Sequence, residues 1–482
     1  MSNYHEQAMR FVYQQVLHRL LGFFSRSERI ALQLLIQRLL VAAGGVERIG
    51  SYRVMVVHEG GKECAYMLAF LRAAQLSIAG RTPETFMLRI AVLRQPRVTA
   101  KLMERIQAQC SELFMYDDPC VELVLVDETQ ISHLSKHRPT AFERLQPAME
   151  RTQVLMSGHL TQGDARATFF YTDLLSRAKL YRRACEWGGE VDALIDRRPP
   201  KHLGEYMAWI QRVAQQQGHV LNDPHMQGFA GAVKLCSKLD EDFKHLLCLP
   251  LPERNIAAAA DYKVNVINVI NVFDCLSCEI DMLHSQVLMF VEGVWDIKVL
   301  DVEEPQAAVV LLTAHLQGLR SIYQQGLEYR VGVEEYLRRV AIENQTNERY
   351  KGQLIKLMGV TFNTPKRIEK LRMAVTQYLS ELHGVNDEHL GCFMCSPFVE
   401  QARGLKAFLE HCYPEKLQSL DELRQILISP NVATTPDALW LESVSGLPLS
   451  SLRVLFNMQK IDFTSGDSLI GTLWVHDPNN QT

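Results

Sequence analysis

Long apolar runs are missing from this sequence. None approaches the ~20 consecutive apolar residues that a bilayer-spanning helix requires. The densest stretch, Val264 to Phe273, is interrupted by Asn265, Asn268 and Asn271, so no membrane helix is expected. The opening segment, MSNYHEQAMRFVYQQVLHRLLGFF, lacks a cationic lead ahead of an unbroken apolar block, which argues against a secretory signal. It reads instead as an amphipathic helix with Met9, Val12, Val16, Leu20 and Phe23 on one side. Neither sign of charge is in excess: 51 Lys and Arg stand against 55 Asp and Glu, a net charge of −4. No global basic field therefore draws the chain to nucleic acid or acidic lipid. The eleven cysteines are odd in number and scattered, which fits reduced thiols in a cytoplasmic protein better than a disulfide framework. A GxGxxG fingerprint, a P-loop and any fixed-period repeat are also lacking, and no nucleophile–base grouping stands out by spacing.

What remains is an ordinary globular composition, 47% apolar and 22% charged, spread over 482 residues. That length is too great for one core and implies several domains. Residues 1–44 read as a pair of helices, the second opened by a Ser25–Glu28 capping box and stopped at Gly44-Gly45. From 45 to 134 the pattern alternates. Strand-like runs at Ser51–His58, Thr85–Leu93 and Val121–Val126 are separated by helical stretches, the signature of a small Rossmann-like parallel α/β unit. Residues 135–414 read almost wholly as helix, with a short strand expected at Ile297–Val302. Pro305 and Pro365 stand where a first helical turn accepts proline, and Thr364 serves as the second one's cap. The expected fold is thus mostly α and multi-domain.

The last segment, 415–482, has its own order. Ser419 and Thr435 each precede a short helix, and Ser445-Gly446-Leu447-Pro448 turns the chain into a further helix reaching about Lys460. Ile461–Phe463 and Leu469–Val475 then read as a β-hairpin around Thr464–Ser468. Over about 415–476 this order resembles a winged helix-turn-helix module. Such a module implies a recognition surface on Ser451, Arg453, Asn457 and Lys460, facing DNA or a docked protein. The segment carries four basic residues against eight acids, the wrong sign for phosphate neutralisation, which favours protein docking over DNA.

Two other clusters suggest ligands. The strand-to-helix turn His58-Glu59-Gly60-Gly61-Lys62-Glu63 can offer backbone N–H groups to a phosphate, assisted by Lys62, although two glycines in a tight turn is the plainer account. A small ligand bound at the strand C-termini would lie near Gly60, Gly61, Lys62 and Asp127. Cys392 and Cys395, with Cys412 and either His389 or His411, have the residue types of a tetrahedral zinc site, provided that 392–395 is not regular helix and the helix after Pro397 breaks near Gly404. The pair Cys275 and Cys278, with His284, is a weaker version inside a helix. Thr172-Asp173 with Gly188-Gly189 and Asp192 loosely resembles the metal-binding stretch of GT-A glycosyltransferases, but no second aspartate stands two residues on. Asp240-Glu241-Asp242 has that spacing on what reads as a solvated helix face.

No cofactor is expected apart from the zinc alternative. The function this favours is a non-catalytic assembly or regulatory protein that docks protein partners through helical and winged-helix surfaces. A DNA-reading regulator and a transferase using the α/β crevice are the alternatives.

Overall fold

The computed structural model describes residues 3–94, 100–127, 130–136, 147–196, 200–219, 228–250, 264–269, 305–343, 364–429 and 435–478. The expected strand at 297–302 and the cluster at Cys275, Cys278 and His284 lie outside them.

Over the described residues the chain is mostly helical and carries a six-stranded mixed sheet. Helices α1 (Asn3–Phe23) and α2 (Arg26–Ala42) come first. The Ser25 side chain accepts from the Glu28 N–H while the Glu28 carboxylate accepts from the Ser25 N–H, so the capping box forms. The α/β alternation follows as β1 (Arg53–Val57), α3 (Lys62–Ala79), β2 (Met87–Leu93), α4 (Ala100–Glu112) and β3 (Val121–Val126). A short antiparallel strand, β4 (Ile131–His133), closes one edge against β3.

The sheet does not end where the sequence suggests. Beyond α5 (Pro147–Thr161) and α6 (Tyr171–Glu186), β5 (Ala193–Asp196) pairs parallel to β1 with Val54 opposite Ala193. After α7 (Pro200–Gln216) and α8 (Gly228–Leu246), β6 (Asn265–Asn268) pairs parallel to β5. The strand order is β4-β3-β2-β1-β5-β6. The α/β unit therefore takes two strands from the segment read as helical. Each is four residues long, too short to display a period, and each is fixed by parallel pairing with a distant segment.

The sheet is covered on both faces. Val54, Val56, Leu88, Ile90, Val92 and Ile195 lie under α1 to α4, and the alternate residues Met55, Val57, Ala91, Leu93, Val124 and Leu194 meet Leu180, Ala184 and Cys185 of α6. Two buried arginines fasten this sandwich. Arg89 of β2 donates to the carbonyls of Ala184 (3.0 Å), Cys185 (3.3 Å) and Gly189 (3.1 Å) and pairs with Glu122 (2.7 Å). Arg72 of α3 donates to the carbonyls of Leu113 and Phe114 and pairs with Asp118 at 2.6 Å. Each guanidinium satisfies orphan carbonyls at a helix C-terminus, where a cation is favoured.

A second core unites the remaining helices: α9 (Pro305–Gln325), α10 (Tyr329–Glu343), α11 (Pro365–His383), α12 (Asp387–Cys395), α13 (Leu405–Cys412), α14 (Leu420–Ile428), α15 (Pro436–Ser445), α16 (Leu449–Phe456) and α17 (Leu469–His476). Thr364 caps α11 and Thr435 caps α15, whereas Ser419 makes no side-chain cap to α14. The hairpin expected at 461–475 is absent: Leu469–His476 is helix, with Ser468 accepting from the Gly471 N–H at 3.0 Å. Helix wins because it puts Leu469, Ile470 and Leu473 together into the large core. Nor does the C-terminal segment pack on itself alone. Leu423, Leu441, Leu452 and Leu473 share one cluster with Leu155, Trp209 and Leu239. Trp209 Nε1 donates to the Leu473 carbonyl at 3.0 Å, and the Ile461 N–H to that of Leu160 at 2.9 Å.

Candidate functional site

Reading the strand order outward from β1, the chain winds one way through β2 and β3 and the other way through β5 and β6. The reversal falls between β1 and β5. In open parallel sheets, ligands bind outside the strand C-termini at such a point, because the two flanking loops diverge and leave a crevice. The turn that follows β1 is His58-Glu59-Gly60-Gly61, which leads directly into α3.

This turn is held from beneath. His58 is buried at the end of β1; its Nδ1 accepts from the Gly60 N–H (3.3 Å) and its Nε2 lies 2.7 Å from Gln109 Oε1 of α4. The ring is thereby fixed as the neutral tautomer that donates from Nε2 to the carboxamide oxygen. Burial lowers its pKa to about 4. Gly60 has φ +81°, and a Cβ there would lie 2.3 Å from Leu102 Cδ1. Gly60→Ala is therefore expected to cost about 2 kcal/mol, from the left-handed backbone and the displaced leucine, measurable by urea unfolding. Gly61 sits at the N-cap of α3 with φ −72° and makes no side-chain cap.

Charged groups line the same edge. Arg177 of α6 pairs with Glu59 at 3.1 Å and with Asp173 at 3.7 Å. Arg94, at the end of β2, pairs with Asp127 at 3.1 Å. The four residues named from sequence are thus divided. Gly60 and Gly61 flank the switch point together with the backbone of Lys62, whose side chain lies outside the described residues. Asp127 lies two strands away, at the end of β3, where its N–H donates to the Gln130 carbonyl and its own carbonyl accepts from Arg183. It braces the turn into β4.

The winged-helix residues do not form one free surface. Arg453 of α16 turns inward and donates to the Ile426 carbonyl at the end of α14, and Asn457 donates to the Arg453 carbonyl at 3.0 Å. Ser451 and Lys460 are half-buried. With a helix in place of the wing, the surface implied by the resemblance is incomplete.

The zinc expectation meets the chain differently. The helix after Pro397 does break near Gly404, and the chain continues as α13, which ends at Cys412. But Cys392 and Cys395 lie on regular helix α12, the condition that was to be avoided. His389 is occupied as the capping-box partner of Asn386, its Nδ1 accepting from that N–H at 3.2 Å. Among the described residues no group of three or more His, Cys, Asp or Glu has metal-holding geometry.

The aspartates of the glycosyltransferase-like stretch are also spoken for. Asp192 lies before β5, at the N-terminal edge of the sheet, accepting from the Arg53 N–H at 2.7 Å and thus opposite the crevice. Asp240, read as solvated, is fully buried beside Lys244 at 3.0 Å.

Sequence reasoning placed His58 in the turn without its part in holding it, and missed Arg72 and Arg89. Their signal is local and faint: a polar residue ending or interrupting an apolar run. Compared with known proteins, the chain matches no family model, no curated protein and no solved structure.

Proposed function

We propose that this protein binds a phosphate-bearing small ligand of the nucleotide class in the crevice over β1 and β5. The observation that carries the reading is the strand order, whose reversal sets the Gly60-Gly61 turn at the switch point. The chemistry of the turn agrees. α3 is 18 residues long, and its first-turn N–H groups and positive dipole end favour an anion. Two glycines without side chains let a phosphate approach the backbone closely. Arg94 directly follows the last residue of β2, Leu93, near where dinucleotide-binding sheets read the ribose or its phosphate. The reading assigns binding to the crevice and no bond-breaking step.

Docking of a protein partner has its own support. Ile30, Leu34 and Val41 of α2 are 56%, 52% and 80% exposed, so the helix that covers the sheet presents an apolar stripe outward. An assembly or regulatory protein whose docking follows ligand binding accommodates both observations. The DNA alternative has less behind it, given the net charge and the missing wing.

The test is a thermal-shift panel on the full chain with ATP, GTP, NAD, NADP and inorganic phosphate, with adenosine as the phosphate-free control. A phosphorylated member at a hundred times its Kd is expected to add about 2.7 kcal/mol of stability, and adenosine none. Gly61→Asp is the matched variant. Its backbone already has N-cap geometry, the conformation in which aspartate caps a helix, and its carboxylate takes the N–H groups and repels phosphate. The variant is expected to keep its melting temperature and lose the ligand shift. A panel without effect, or an undiminished shift in Gly61→Asp, overturns the reading.

A further inference from the structure

The two sides of α2 are used differently. Leu32, Leu35, Ile36 and Leu39 turn into the core beneath the sheet. On the solvent side, Ile30, Leu34, Gln37 and Val41 follow one another at steps of four, three and four residues, and all four are exposed. That is the a/d spacing of a coiled-coil seam. The rim of the seam has one sign. In the same heptad register Arg26 and Arg38 take the g and e positions that flank it. Arg81, from the turn after α3, comes alongside with its Nη1 3.4 Å from Gln33 Oε1. The one acid of α2 is Glu28, which is buried and accepts from the Tyr66 hydroxyl at 3.1 Å. No exposed carboxylate of α2 therefore answers these arginines.

We propose that α2 docks an acidic amphipathic helix of a partner protein, with aliphatic residues against the seam and Asp or Glu along its edges. The inference rests on protein docking at this helix and is independent of the crevice. Charge complementarity selects the occupant: carboxylates at the flanking positions of the incoming helix meet Arg26, Arg38 and Arg81, which steers the encounter and fixes its orientation. A second copy of the chain would instead set Arg26 and Arg38 against the same arginines, and like charges across an interface are costly.

The width of the seam also points to a helix. At 3.6 residues per turn, the four positions span about 60° of the helix surface, the footprint of one facing helix. Helices that lie in a bilayer interface present a broader apolar face with Trp or Phe, and α2 holds no aromatic residue. Gln37 is a polar residue within the seam, which favours one register of pairing at a cost in affinity. From Ile30 to Val41 the seam runs only about 16 Å, so the contact is small and of the transient kind.

The probe is a synthetic peptide of three heptads with leucine at a and d and glutamate at e and g; its control carries lysine at e and g. Both are titrated against the full chain by fluorescence anisotropy. The acidic peptide is expected to bind about tenfold more tightly than the basic one, and to weaken as salt rises from about 50 to about 500 mM. Leu34→Gln, at an exposed position, is expected to weaken it about tenfold with the melting temperature unchanged. Arg26→Glu combined with Arg81→Glu is expected to invert the preference between the two peptides. Equal binding of both peptides overturns the acidic partner while the docking helix stands. So does a dimer in sedimentation that Leu34→Gln dissolves, which gives the seam to a second copy. Co-sedimentation with phosphatidylserine vesicles that Leu34→Gln abolishes gives it to a membrane and overturns the proposal too. A monomeric chain that binds neither peptide nor vesicle removes the docking surface altogether and leaves the crevice untouched. The wild-type comparison of the two peptides decides the matter even if a variant fails to fold.

Discussion

Asp477→Ala is expected to lower the unfolding free energy by about 3–5 kcal/mol, the usual cost of breaking a buried ion pair from one side. Asp477 is fully buried. Its Oδ1 accepts from Arg166 Nη2 at 2.9 Å, its Oδ2 accepts from Arg166 Nε, and the Tyr171 hydroxyl donates to Oδ2 at 3.0 Å. Arg166 also stacks on the Phe170 ring at 4.4 Å. These partners lie in the π-helical turn Arg166–Phe170 and at the start of α6, so one carboxylate near the C-terminus ties α17 to the helix that covers the sheet. Removing it leaves the guanidinium buried without its counter-charge. A double-mutant cycle with Arg166→Met is expected to recover part of the loss, because the stranded cation is then gone as well. An Asp477→Ala stability within about 0.5 kcal/mol of wild type would mean that the C-terminal helices are not fastened to the body in this way.

Acid is expected to unfold the protein well before its carboxylates are protonated. His58 and His159 are both fully buried, and burial depresses their pKa values to about 4 and about 3 from the ordinary 6.5. His159 sits between the rings of Phe393 and Phe398, and neither of its nitrogens is hydrogen-bonded. In the folded chain both rings stay neutral below pH 6.5, while in the unfolded chain both take up protons. The unfolded state therefore binds more protons in this window, and stability falls as pH falls. Each histidine contributes a slope of about 1.4 kcal/mol per pH unit between pH 6.5 and its folded pKa. Together they remove roughly 7 kcal/mol by pH 4, with no contribution above pH 6.5. Asp387, pushed up by its own burial but held down to about 2 by His315, Thr376 and Arg372 beside it, adds a further loss only below about pH 3.8. Urea unfolding at half-unit steps from pH 7.5 to 4.5 measures the slope, and His159→Leu should halve it. An unchanged slope in that variant would show the ring to be solvated.

Much of the architecture is legible in the residues. The runs at Arg53–Val57, Met87–Leu93 and Val121–Val126 are apolar, β-branched and separated by helical periods, so the first three parallel strands follow from local pattern. Ser25, Thr364 and Thr435 announce their helices because a cap is a short-range interaction. What local pattern cannot convey is pairing at a distance. β5 and β6 are four residues each and exist because β1 offers an unpaired edge that only folding presents. With three strands the sheet has no switch point; with five parallel ones it acquires one, and the Gly60-Gly61 turn becomes the side of a crevice. Leu469–His476 shows the reverse error. Its β-branched, aromatic composition favours strand, but docking on the large core imposes helix. Break positions are readable where chemistry marks them, as at Gly404, which stands at the start of α13.

Amide hydrogen exchange on the full chain, with and without the panel nucleotide that gives the largest thermal shift, tests the location of the ligand site most directly. Binding at the switch point predicts that the amides of residues 58–64, from the end of β1 through the first turn of α3, slow markedly on saturation, while those of 449–460 are unchanged. Protection confined to 449–460, or no change at 58–64 under saturating ligand, would contradict it.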